Sequence, residues 1–276
     1  MLRADSRSCC CRLVLAPKGH PAGEQLPTPA AVLSGAVNSV RSPKHIQVLC
    51  GGQHPQCSFS GFGSFVAQFS ASDEQREWFS PAPPGYQKGR TKFVVVIGTV
   101  MSGLGKGIFA SSLAKLIKDK GLSVAPIKME GYLNIDSGTL NPYRHGEVFV
   151  LDDGLETDMD LGTYERLLDQ NLSRKNFVTA GQIYTRILER ERRGGYLGRD
   201  VQMIPHVTGA VKYKLRELAM RGGKEGGPAD VVFVEVGGTA GDYENGFYIE
   251  ALRELAFEEG PGSACFVALA YILEPQ

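Results

Sequence analysis

Hydrophobic and polar positions settle into a regular rhythm at Lys92. Phe93 to Ile97 is an unbroken apolar run, rich in β-branched residues, that ends on Gly98. Such a run predicts a strand of a parallel sheet, buried on both faces. Phe109, Leu113, Leu116 and Ile117 then recur at i, i+4, i+7 and i+8, the stripe of an amphipathic helix, which Gly121 ends. Ser123–Met129 predicts a second strand and Val148–Leu151 a short one. Tyr164–Leu172 and Gly181–Arg193 read as helices, Asp200–Ile204 as a strand, and Val207–Met220 as a helix. Gly222–Pro228 reads as a turn and Asp230–Val236 as the clearest buried strand after the first. Glu244–Glu258 follows as a helix and Ala264–Leu273 as a strand. This alternation predicts an α/β fold, P-loop NTPase-like and doubly wound. Its sheet is mostly parallel with helices on both faces, and its ligands lie at the carboxyl ends of the strands. Two stretches break the rhythm. Glu130–Glu147 is a long loop rich in Gly, Asn and Pro, and Asp152–Asp160 is an acidic loop. A loop as long as the first, inside a compact domain, points to function.

Upstream of residue 91 no period holds. Residues 1–90 carry nine Lys/Arg against five Asp/Glu, nine of the 15 prolines and five of the six cysteines. They read as a disordered leader. The first 70 residues are Ser-rich and acid-poor, as in a transit peptide, but lack its amphipathic helix. A misassigned upstream start codon explains them equally. On this reading the folded domain is 91–276, and a chain starting at about Gly89 is expected to fold as stably as the whole. The clustered cysteines argue for a reduced compartment and against a disulfide scaffold. The 276 residues, 42 % apolar, suffice for one sizeable domain. A formal net charge of zero gives no nucleic-acid footprint, and no apolar run approaches a membrane span.

The chemistry starts between the first strand and helix. Gly98, Gly103, Gly105 and Gly107 punctuate that turn, with Lys106 inside it. Glycines let backbone N–H groups face an anion, the helix N-terminus adds partial positive charge, and the lysine reaches outer phosphates. The G-x-x-x-x-G-K-[ST] pattern is not met: Gly98 lies too far upstream, and Gly107 stands where a hydroxyl would hold Mg²⁺. The metal then needs carboxylates from elsewhere. Asp152, Asp153, Glu156, Asp158 and Asp160 form an acidic cluster, which by itself is most simply a solvated loop. Asp160, its last member, is the one assigned to the metal. Glu235 is the second candidate, because a carboxylate ending an apolar strand is costly unless paired or metal-bound. Lys128 ends the second strand and projects toward the same edge, as a phosphate neutraliser or as a plain surface lysine. Asp242 and Glu244 either bind ribose hydroxyls or cap the next helix, and capping is the simpler reading. His145 lies in the long loop, where a lone histidine is usually unremarkable. Arg190, Arg192 and Arg193 meet phosphates or cover a helix end.

Several segments together closely resemble the N-terminal amidoligase, or synthetase, domain of the CTP synthase family. They are SGLGKG at Ser102–Gly107, NPYRHGEVFV at Asn141–Val150 and ETDMDLGTYER at Glu156–Arg166. ERRGGYLGRDVQMIPH at Glu191–His206 and VEVGGTAGDYEN at Val234–Asn245 complete the set. The resemblance implies a ligase of pyrimidine biosynthesis that makes CTP from UTP. ATP phosphorylates O4 of the uracil, and ammonia displaces the phosphate. It implies that Ser102 contacts the pyrimidine nucleotide and that Gly103, Leu104, Gly105, Lys106, Gly107 and Ile108 contact ATP. It further implies that Lys106 and Lys128 assist phosphoryl transfer, that Asp160 and Glu235 hold Mg²⁺, and that His145 lines the ammonia path. Asp242, Tyr243 and Glu244 would serve the allosteric CTP site, against the capping reading. A homotetramer and a cytoplasmic location are implied too, or an organelle if the leader is a transit peptide. The family commonly has serine at Gly103, glycine at Thr99, Asp-Pro at Glu130-Gly131 and Ile at Tyr243, so feedback by CTP is in question. The family also continues past Gln276 into a further UTP-binding segment and a glutamine amidotransferase. The chain by itself is therefore expected to be impaired, with Cys265 a buried, inert thiol. Two rival functions are a P-loop ATPase switch and a non-catalytic assembly fragment.

Overall fold

The computed structural model describes residues 45–51 and 81–272. The expectations for the leader otherwise lie outside the described residues. The chain gives β1 (His45–Gly51), β2 (Lys92–Gly98), α1 (Lys106–Lys118), β3 (Val124–Glu130) and the short α2 (Pro142–His145). Next come β4 (Val148–Val150), β5 (Glu156–Asp158), α3 (Asp160–Leu168), β6 (Phe177–Thr179) and α4 (Ala180–Arg192). α5 (Thr208–Arg221), β7 (Val231–Thr239), α6 (Gly246–Glu259) and β8 (Ala264–Ile272) follow. The main sheet has the order β1-β8-β2-β7-β3-β6. Its members are parallel except β1, which pairs antiparallel with β8 on one edge.

Period-2 alternation divides the core into two layers. Val232, Val234 and Val236 of β7, with Ala125, Ile127 and Met129 of β3, face α4, α5 and α6. Val231 and Phe233 of β7, with Val96 of β2, face α1 and α3, where Phe109, Ala110, Leu161, Tyr164 and Leu168 pack. Glu235 continues the second set, and Lys128 and Glu130 alternate with Ile127 and Met129. Strand parity therefore sends these three ionisable side chains to the α1/α3 face.

Four readings change. Asp200–Ile204 is not a strand. It leads into a π-type turn, Met203–Val207, where the Gln202 N–H donates to His206 Nδ1 at 2.9 Å and Pro205 has no N–H for a ladder. α3 starts at Asp160 rather than Tyr164. Gly162 lies inside it, where a Cβ would stand 2.9 Å from the Phe149 ring. The acidic loop contains β5, which pairs with β4 as a separate antiparallel ribbon. Cys265 is half-buried, not buried, on β8.

Ordered contacts begin upstream of residue 91. Tyr86 packs against the α5/α6 layer, Arg216 lies 5.5 Å over its ring, and the Gly89 N–H donates to Glu259 Oε2 at 2.9 Å. A chain starting at Gly89 would lose the tyrosine. Beneath it, Lys212 pairs with Glu254 and Glu258, and Arg216 pairs with Glu258 and Glu259, clamping α5 to α6. Lys212 is fully buried. Removing one partner from such a network strands the others, so Lys212→Met is expected to cost about 3–5 kcal/mol in urea unfolding. The exposed Lys115–Asp119 pair should be worth no more than about 1 kcal/mol. Equal, small losses for both would contradict this account of the clamp.

Candidate active site

The carboxyl ends of β2, β7 and β3 lie side by side, and the loop after β2 turns back over them into α1. Gly103 and Gly105 have φ of 76° and 80°, the left-handed region that glycine adopts without strain. Neither faces an atom that a Cβ would strike, so the backbone conformation, not space, calls for glycine. No side chain caps α1 and no acid occupies its first turn. Its leading N–H groups are therefore not taken by a residue of its own first turn, although the Asp160 carboxylate stands close to Gly107.

Lys106 opens α1 and is largely buried. Its ammonium donates to the Gly238 carbonyl at 2.7 Å, bridging the loop to the end of β7. Burial, then the nearby Lys128 cation, lowers its pKa. Lys128, 4 % exposed, sits opposite Glu235 in the β3–β7 register. Its ammonium donates to Glu235 Oε1 at 2.8 Å and Asp160 Oδ2 at 2.5 Å. Glu130 and Asp158 stand at 3.5 and 3.7 Å. Burial alone would lower the Lys128 pKa, but Glu235, Glu130, Asp160 and Asp158 outweigh it and hold the group charged well above the ordinary value. Glu235 is 0 % exposed, and its other oxygen accepts from Tyr164 OH at 2.9 Å. One ammonium thus faces four carboxylates.

Three of these neighbours escaped the sequence reading, although two left a signal. Glu130 is two residues beyond Lys128, hence on the same strand face. Tyr164 is four residues beyond Asp160, hence on the same helix face. Asp158 was read only as one of an acidic group. Glycines make the crowding feasible: a Cβ at Gly107 would stand 2.6 Å from Asp160 Oδ1, and one at Gly237 would stand 2.3 Å from Glu130 Oε2.

Burial raises the Glu130 pKa from 4.5 to about 7, with Lys128 opposing and Asp158, Glu235 and Asp160 adding. A carboxyl with a raised folded pKa binds its proton more tightly in the native state, so this group's contribution falls as pH rises across that interval. Glu130→Gln should therefore gain stability relative to wild type between about pH 5 and about pH 8. Parallel stability–pH curves for the two would contradict it.

A cavity of about 630 Å³ opens over this cluster. Ser102, Gly103, Gly105, Lys106, Gly107 and Ile108 form one wall, and Lys128, Asp160 and Glu235 the floor. Asp242, Glu244 and His145 also line it. Leu104 instead packs toward the α1/α3 core. His145, exposed, ends α2 with its ring 6.4 Å from that of Tyr132. Asp242 caps no helix with its side chain; the carboxylate folds back to accept from the Thr239 N–H at 2.6 Å. Tyr243 is 98 % exposed and Glu244 is exposed beside Gly131. Arg192 and Arg193 lie outside the cavity, paired with Glu191 and Glu189.

The parallel sheet and the strand–glycine loop–helix unit define a class first: this is a P-loop NTPase-like α/β domain. A family model described as CTP synthase N-terminus matches residues 92–276. The CTP synthase of Pyrobaculum calidifontis is 54 % identical over 181 residues, 66 % of this chain and 33 % of that protein. That of Thermosipho africanus is 50 % identical over 181 residues, with the same shares. The CTP synthase of Onion yellows phytoplasma is 52 % identical over 171 residues, 62 % of this chain and 31 % of that protein. The chain belongs to the CTP synthase N-terminal family. It spans about a third of the length of the curated relatives it matches. No helix among the described residues is long and apolar enough to cross a membrane.

Proposed function

We propose that this chain carries the synthetase part of an enzyme that activates UTP with ATP and aminates it, and that the chain by itself performs this reaction only weakly. The observation that supports this most is the convergence of Lys106 and Lys128 with Asp160 and Glu235 beneath an uncapped helix N-terminus. The glycine loop, Gly103 to Ile108, holds the triphosphate of ATP through backbone N–H groups, and Ser102 contacts the pyrimidine nucleotide. The γ-phosphoryl group passes to O4 of the uracil, leaving ADP. Lys106 and Lys128 offset the charge that spreads over its oxygens in transfer. Ammonia then attacks C4 and phosphate departs from it. His145, exposed and lining the cavity, lies on the proposed ammonia route. Asp242, Tyr243 and Glu244 contribute to a site for CTP as inhibitor. As in the family, the working form is a cytoplasmic homotetramer.

Mg²⁺ fits the donor set. Four carboxylates around one ammonium leave an excess of negative charge, and Lys128 donates to only one of the two Asp160 oxygens, Oδ2. Among the described residues no group of three or more His, Cys, Asp or Glu forms a preformed cage. Mg²⁺ does not require one, being held by one or two carboxylates plus phosphates and water. Asp160 and Glu235 would be those carboxylates, although Lys128 and Tyr164 already occupy Glu235. When bound, the ion would neutralise phosphate oxygens and orient them for in-line transfer.

Asp160→Asn and Glu235→Gln are the test. Each is expected to weaken Mg-ATP binding at least about tenfold more than metal-free ATP binding. If both forms weaken alike in calorimetric titration, the two carboxylates are structural and the metal assignment fails.

A further inference from the structure

The carboxylates on the floor of the active site converge on a place that a side chain already takes. The Lys128 ammonium lies 2.5 Å from Asp160 Oδ2 and 2.8 Å from Glu235 Oε1. Glu130 and Asp158 stand at 3.5 and 3.7 Å. The two closest oxygens belong to the two residues assigned to Mg²⁺. Glu235 has no easy way to offer its other oxygen, because Oε2 accepts from Tyr164 OH at 2.9 Å. Glu235 and Tyr164 are both fully buried, and Tyr164 packs in the α1/α3 core. The carboxylate is therefore held with Oε1 turned to the ammonium.

A metal ion and this ammonium compete for the same oxygens. Mg²⁺ binds oxygen at roughly 2.1 Å. Added to the 2.8 Å from Lys128, that puts an ion on Glu235 Oε1 within about 5 Å of the ammonium. Lys128 and Glu235 are both buried, and like charges that close in such a setting repel strongly. Once the ammonium withdraws, the four carboxylates it leaves behind favour a divalent cation. The lysine also has a second set of acceptors within reach. It lines the same cavity as Gly103, Gly105 and Gly107 of the glycine loop, and phosphate oxygens held there would take its hydrogen bonds in place of the carboxylates.

We propose that Lys128 is a built-in counter-ion that keeps divalent cations off Asp160 and Glu235 until a nucleoside triphosphate draws its ammonium away, so that ion and nucleotide enter the site together. This role for Lys128 rests on the assignment of Asp160 and Glu235 as the ion's ligands. It gives the lysine two anionic partners in succession, carboxylates first and phosphates second.

Mn²⁺ is the probe, titrated into the whole chain without nucleotide and followed by the electron paramagnetic resonance signal of the free ion. Lys128→Gln removes the charge and keeps an N–H donor. It should bind Mn²⁺ at least about tenfold more tightly than wild type, and adding Asp160→Asn should abolish the gain. Thermal melting gives a second readout. Mn²⁺ should raise the melting temperature of Lys128→Gln, restoring part of the stability lost with the ammonium, and leave that of wild type nearly unchanged. Equal Mn²⁺ affinity in wild type and Lys128→Gln would overturn the proposal, as would a gain that survives Asp160→Asn. Wild type decides the matter by itself if the variant does not fold: tight Mn²⁺ binding without nucleotide that Asp160→Asn removes would overturn the counter-ion role and leave the ligand assignment standing. Asp160→Asn and Glu235→Gln weakening Mg-ATP and metal-free ATP alike would instead remove the ligand assignment, and the counter-ion role with it.

Discussion

Lys128→Met is expected to cost the fold about 3–5 kcal/mol at neutral pH, because it strands buried carboxylates that one ammonium now holds together. Methionine matches the length of the lysine stem, so the packing of β3 against α3 should persist. The loss should come from Glu235, 0 % exposed, and from Glu130, Asp158 and Asp160, which would face one another without a cation. Those carboxylates would relieve the repulsion by taking up protons. The folded variant would then bind more protons than its unfolded chain, so its stability should rise as pH falls toward about 5. Urea unfolding of wild type and variant at about pH 5 and about pH 8 measures this. The deficit should shrink on acidification. A loss below about 1 kcal/mol, or one independent of pH, would show that the carboxylates do not depend on Lys128.

Lys106→Ala should act in the opposite sense, on binding rather than on folding. Burial and Lys128 already disfavour its charge, and its one hydrogen bond goes to a carbonyl that water can replace it on. Stability should therefore change little. A phosphate contact from an ammonium is a charge-assisted hydrogen bond worth about 1.5–3 kcal/mol, so ATP affinity should drop roughly 10- to 150-fold. Equal ATP affinity in wild type and variant would remove the glycine loop from the account.

Much of this site was legible because parallel strands impose simple rules. The apolar runs around Phe93 and Asp230 located β2 and β7, and a charge at the carboxyl end of such a run marks a ligand edge. Position alone marks Glu235 and leaves Lys128 open between a phosphate neutraliser and a surface lysine; the structure buries Lys128 and places the two in register on adjacent strands. α3 begins at Asp160, upstream of the expected Tyr164, and takes in Gly162, whose missing side chain leaves room for Phe149. Asp242 was read as a cap because acids before helices usually are, but its carboxylate takes the Thr239 N–H instead. The strand expected at Asp200–Ile204 failed because its apolar residues serve a turn rather than the sheet.

Release of ADP from ATP by the purified chain, with Mg²⁺ and ammonium and with or without UTP, tests the central claim most directly. The proposed activity predicts ADP formation that depends on UTP, is accompanied by CTP, and is lost in Lys106→Ala. ADP formed at the same rate without UTP, or a chain that binds no UTP at all, would contradict it.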